Sequence, residues 1–144
     1  MFKRLTVLLV LLVSISYSQG PVLGPFMLLE SIDEARAKCK SLTFVKSGFN
    51  EEYVADIGDE FKWELHFDDN KLQSIMMISR PGATRPDYID VVDKFSGIIG
   101  RRPGNSSAMG DGYLSWWRNE YVEFQIIYNV KTQLLTLFLY PNYN

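Results

Sequence analysis

Residues 113–140, YLSWWRNEYVEFQIIYNVKTQLLTLFLY, decide the fold. Val122, Phe124, Ile126 and Tyr128 alternate there with Tyr121, Glu123, Gln125 and Ile127. A period of two in β-branched and aromatic residues marks a half-buried strand, because successive side chains leave a strand on opposite faces. Residues 129–132 supply a polar turn. The chain then returns through Leu134, Leu135, Leu137, Phe138, Leu139 and Tyr140. A strand apolar on both sides is either central and covered twice, or it offers one face to a partner. Pro141 ends it, since proline has no N–H for the ladder. The stretch therefore predicts two or three strands of one antiparallel unit.

The same arrangement stands earlier in the chain. Phe61, Trp63, Leu65 and Phe67 alternate with Glu60, Lys62, Glu64, His66 and Asp68; Asp69-Asn70 turns the chain and residues 71–79 return it. A further strand is predicted over residues 52–57, ending in a Gly58-Asp59 turn. Each arrangement is preceded by a helix. Ser31-Ile32-Asp33-Glu34 matches a capping box, in which serine and glutamate satisfy each other's backbone N–H. Ile32, Ala35, Cys39 and Leu42 then make an apolar stripe, predicting a helix over residues 32–42. A second helix starts at Thr84 or Arg85, with Pro86 and Asp87 in its first turn. Its apolar face holds Tyr88, Val91, Val92, Phe95, Ile98 and Ile99, and Gly100 stops it. Residues 80–83 are a break between halves, and residues 101–112, rich in Gly and Ser, read as a loop. The expectation is an α+β fold from a duplicated α-β-β-β unit, with pseudo-repeats at about residues 27–80 and 84–141. It gives a six-stranded antiparallel sheet with two helices packed on one face.

The chain opens with Lys3 and Arg4, an apolar run from Leu5 to Val13, and small residues before Gln19. This is the layout of a secretory signal peptide over residues 1–18, and the run is much shorter than the about 20 residues that span a bilayer. The remaining residues 19–144 form one domain. The chain has 15 basic and 17 acidic residues; losing Lys3 and Arg4 leaves 13 against 17, a net charge of −4. That charge lacks the basic excess of nucleic-acid binding. Cys39 is the only cysteine, so neither an internal disulfide nor a cysteine-based metal site is available. On its stripe it reads as a small buried hydrophobe. Asn105-Ser106-Ser107 fits a glycosylation sequon, which matters only in a eukaryotic secretory pathway.

The order of helices and strands resembles the tandem helix-plus-antiparallel-sheet modules of bacterial envelope proteins, namely the β-lactamase inhibitory protein and the SmpA/OmlA group. The resemblance covers most of residues 19–144 as architecture and brings no motif with it. It implies a binding or inhibitory role outside the cytoplasm.

Catalytic chemistry finds little footing. Nucleophilic catalysis needs a base beside the nucleophile, and His66, the only histidine, sits in the outward set of its strand. Asp87, Asp90 and Asp93 recur along the second helix as a solvated face. Two acids at the right separation can hydrolyse glycosides, which keeps a small carboxylate-dependent hydrolase as an alternative. Asp68-Asp69-Asn70 lacks the spacing of an EF-hand loop and reads as a hairpin turn. No cofactor and no metal is expected.

The candidate binding segment is the second loop with its following strand: Arg101, Arg102, Tyr113, Trp116 and Trp117. Tyr, Trp and Arg are the residue types enriched at binding hot spots. Adjacent tryptophans in a strand point to opposite faces, so at most one of Trp116 and Trp117 meets the core. The expected function is an exported, non-enzymatic binding or inhibitor-like module, secreted or periplasmic, for a protein or cell-envelope partner. It predicts an exposed apolar patch on the sheet face away from the helices. A structural homodimer, packed through the two-faced last strand, is the companion reading.

Overall fold

The computed structural model describes residues 21–58 and 60–142. The segment read as a signal peptide, residues 1–18, lies outside them, as do Asp59 of the predicted turn and the side chain of the sequon's Asn105. A short ribbon, β1 (Val22–Leu23) with β2 (Phe26–Met27), leads into α1 (Ile32–Lys38). Four strands follow: β3 (Thr43–Lys46), β4 (Glu51–Ala55), β5 (Phe61–Asp68) and β6 (Lys71–Ser79). Then come α2 (Arg85–Ile99) and four more: β7 (Asn105–Met109), β8 (Gly112–Arg118), β9 (Val122–Asn129) and β10 (Leu134–Pro141). One antiparallel sheet joins them in the order β3-β4-β5-β6-β10-β9-β8-β7.

The fold is α+β with a large antiparallel sheet, as expected. The strand count is corrected from six to eight, because four strands, not three, follow each helix. The two unforeseen strands, β3 and β7, are the sheet's edges. Short and held on one side only, they carry no strong alternation of their own. β7 lies inside the stretch read as a loop.

Both helices begin as their sequences dictate. Ser31 and Glu34 form a reciprocal capping box at α1, and Thr84 and Asp87 do the same at α2, with proline in the first turn. α2 ends at Gly100, whose φ of 79° is the left-handed conformation that glycine adopts freely. α1 stops at Lys38, four residues earlier than the apolar stripe implies. Cys39 is already extended, at φ −135°. Cys39 is nonetheless buried, its Sγ 3.1 Å from Ser41 Oγ, so the stripe marks burial beyond the helix end. Ile98 is 41% exposed and leaves the α2 face to which its spacing assigned it.

The register lines up one row across six strands: Tyr53, Leu65, Ile75, Leu139, Phe124 and Trp117. All six belong to a single core cluster. Arg36 of α1 lies over the Tyr53 ring at 5.7 Å, and Phe95 of α2 meets Phe124 at 4.7 Å. The sheet's centre is the β6–β10 seam, where residues 136–139 pair with residues 75–78. Ser79 extends it by accepting the Leu135 N–H at 2.9 Å.

Two-residue turns set the registers. Asp69 and Asn70 have φ of 48° and 58°, and Asn70 Oδ1 accepts the Ile32 N–H at 3.1 Å, tying the β5–β6 turn to the start of α1. Positive φ at both central residues is the type I′ hairpin geometry. Gly110, at φ 46°, opens the β7–β8 turn. At the start of β8 a Cβ on Gly112 would stand 2.2 Å from the Tyr128 carbonyl oxygen, whereas one on Gly104 meets only an atom 3.9 Å away. Gly112→Ala is therefore expected to cost ~1–3 kcal/mol, the usual range for overpacking, and Gly104→Ala close to nothing. Urea denaturation of the two variants checks this, and equal midpoints would count against the close approach.

Candidate functional site

The five residues singled out from sequence separate onto different surfaces. Trp117 is buried among the core residues, 5.5 Å from the Phe124 ring, and its Nε1 donates to the Arg101 carbonyl at 3.1 Å. Arg101 in turn donates to the Arg118 carbonyl at 2.7 Å. These two residues brace the end of α2 against β8. Trp116, one position earlier, lies half-buried on the opposite face of the sheet. Tyr113 is on the core side, stacked with Tyr128 at 6.3 Å and covered by the Arg85 guanidinium at 4.8 Å. Arg102 pairs with Asp93 of α2.

The face that carries Trp116 is built by alternation. One cross-strand row reads Trp116, Gln125, Phe138, Met76, Glu64 and Val54. Beside it runs Leu114, Ile127, Thr136, Ile78 and Lys62. Leu114 is buried yet stands outside the core cluster, and most of the others are partly exposed. The two rows make an apolar band across β8, β9, β10 and β6. The opposite face holds the core, and among the described residues neither helix contributes to this band.

A polar network borders the band. Arg118, Glu123 and Tyr140 form the next row. Arg118 Nε donates to Glu123 Oε2 at 2.5 Å, Gln125 Nε2 donates to Oε1 at 2.6 Å, and the Tyr140 hydroxyl donates to the same oxygen. Burial pushes the Glu123 carboxyl up, but the bonds from Tyr140, Gln125 and Arg118 outweigh it and hold the group below the usual carboxylate range. Burial, then the bond to Glu123, raises the Tyr140 phenol well above its ordinary value. The Tyr140 and Phe138 rings lie 4.7 Å apart, which continues the aromatic surface to this border. On the far side, Lys46 reaches Glu52 at 3.0 Å and holds that carboxyl low, and Lys62 reaches Glu64 at 2.5 Å.

His66 sits between Ser74 and Glu52 in register. It was expected in solvent. It is partly buried instead, and its Nε2 is screened from water with no partner among the described residues. Asp87 caps α2, Asp90 pairs with Lys94 at 2.6 Å and Asp93 with Arg102, so the three acids hold separate partners. Among the described residues no group of His, Cys, Asp and Glu is placed to hold a metal ion, and no helix is long and apolar enough to cross a membrane.

Sequence reading missed the Glu123–Tyr140–Gln125–Arg118 network. Alternation places Glu123 and Gln125 on one side of β9, but their partners come from two other strands. Compared with known proteins, the chain matches no family model, no curated protein and no solved structure.

Glu123 titrates lower in the folded chain than its unfolded value of ~4.3. Its contribution to stability is therefore fully present above that pH and is lost as pH falls further. Glu34 and Glu52 are also held low, so the variant Glu123→Gln isolates this group. Urea denaturation should show a gap between wild type and variant that narrows from pH 7 to pH 3. A gap independent of pH would mean that the network does not favour the charged carboxylate.

Proposed function

We propose that this chain is an exported, non-enzymatic binding module that holds a protein or a cell-envelope component against the open face of its sheet. The observation that carries the reading is the apolar band of Leu114, Trp116, Ile127, Phe138, Met76 and Ile78, bordered by paired charges. Apolar surface rimmed by polar groups is the anatomy of an interaction site, and tryptophan is among the residue types enriched at hot spots. A uniformly charged face would have spoken against it. The export part rests on the residue pattern of the first 18 positions alone.

We also read the chain as a duplicated helix-plus-sheet unit with both helices over one face. In support, a capping box opens each helix, four antiparallel strands follow each, and the two sets meet at β6 and β10. The alternation of Phe61, Trp63, Leu65 and Phe67 recurs at Val122, Phe124, Ile126 and Tyr128. The likeness to tandem envelope modules belongs to this reading and rests on the same order of elements.

The two tryptophans test it. With the purified protein as bait in an envelope extract, Trp116→Ala is expected to lose the captured partner at unchanged thermal stability. The loss of a hot-spot anchor is ~2 kcal/mol or more, about thirtyfold in affinity. Trp117→Ala should instead destabilise the fold by ~3–5 kcal/mol. Capture that survives Trp116→Ala and also Phe138→Glu would overturn the open-face assignment. Capture of a second copy of this chain would favour the homodimer.

A further inference from the structure

The sheet's two edges are unlike. β3 carries a register irregularity between Phe44 and Lys46 and ends in a lysine, devices that keep an edge from accepting another strand. β7 has neither. Its sequence, Asn-Ser-Ser-Ala-Met, holds no charge and no proline, and all five of its residues pair with β8 in unbroken register. Met109 and Gly112 flank a two-residue turn and so form a hydrogen-bonded pair. By alternation the backbone N–H and C=O of Ser106 and Ala108 point away from β8, and no strand lies beyond them among the described residues.

Beside this edge, between β7 and α2, lies a groove of about 290 Å³. Ile89 and Val92 of α2, Ser106 and Ala108 of β7 and Tyr113 of β8 are among the residues that line it. At the Tyr113 end stands Arg85, which lies over the ring and meets no carboxylate among the described residues. At the other end Arg102 is already neutralised by Asp93. The groove thus offers a row of unpaired backbone groups, an apolar slot and one cation without a counter-charge.

We propose that β7 accepts an extended acidic peptide as a ninth strand, with an apolar side chain in the groove beside Ile89 and Val92 and a carboxylate two residues away meeting Arg85. Strand addition of this kind draws affinity from main-chain hydrogen bonds and specificity from alternate side chains. The site is separate from the open face and stands or falls independently of it. A second copy's β7 would bring only Ser106 and Ala108 to this side, leaving the groove unfilled and Arg85 without an anion.

The test is an NMR titration of the labelled protein with an eight-residue threonine peptide carrying leucine and glutamate two positions apart, so that both side chains share one face. Amide shift changes are expected at Ser106, Ala108 and the first two turns of α2, with the β6–β10 seam unmoved. Ala108→Pro removes an outward N–H while leaving the β8 ladder intact, and should abolish the changes. If that variant does not fold, a peptide N-methylated at its pairing nitrogens serves in its place and should not bind. Arg85→Glu, or lysine for glutamate in the peptide, should weaken binding at least tenfold. Absence of β7 shifts at millimolar peptide would overturn the proposal, as would binding indifferent to Ala108→Pro or N-methylation, or to the charge reversals. Concentration-dependent β7 shifts without peptide would replace it with self-pairing.

Discussion

The pairing of β6 with β10 is the constraint on which the rest depends. β6 and β10 are the last strands of the two four-stranded sets, and the seam joins them along residues 75–78 and 136–139. It places Ile75 and Met77 beside Leu139 and Leu137 on the core side. On the other side it sets Met76 and Ile78 beside Phe138 and Thr136. One set of backbone bonds thus makes the two small cores continuous and makes the apolar band continuous too. A slip of one residue would exchange the two faces, sending leucines outward and Phe138 into the core. The cross-strand row from Tyr53 to Trp117 is the register's packing consequence, and it is also what holds the register.

Parity explains why one sheet carries such different surfaces. β9 buries Phe124, Ile126 and Tyr128 and turns Glu123, Gln125 and Ile127 the other way. The polar members do not stand in water unattended. Glu123 is nearly closed off by Arg118, Gln125 and Tyr140, so the border of the band is made of satisfied groups rather than mobile charges. Satisfied polar groups beside half-exposed apolar ones carry a small desolvation cost when covered.

Much of this was legible wherever one face of an element is buried and the other is not. The alternation in β5 and β9 predicts their buried sets residue by residue, and the capping boxes place the helix starts. Adjacent Trp116 and Trp117 divide between faces as a strand requires. The edges were not legible, because Asn-Ser-Ser-Ala-Met has no apolar rhythm and its strand form is imposed by β8. Gly110-Asp111 between Met109 and Gly112 was the available sign of a hairpin there. The end of α1 was obscured for another reason: Cys39 is buried from an extended backbone, so spacing alone extends the helix too far. Of the candidate site, the residue types were readable and the network was not, since Arg118, Glu123 and Tyr140 come from three strands.

The tie between Asn70 and α1 has a further consequence. α1 is seven residues long, buries Ala35 alone, and is tied to the sheet by the Asn70 bond, by Arg36 over the Tyr53 ring, and by backbone bonds in which Leu29 donates to Leu72 and Leu72 donates to Glu30. A helix so short is not stable by itself in water. With few buried contacts, its amides are expected to exchange with solvent by local opening, and those of α2, held by five buried side chains, to be protected more strongly. Two tiers of persistence are expected of one molecule, with the N-terminal helix opening at a lower free-energy cost than the seam.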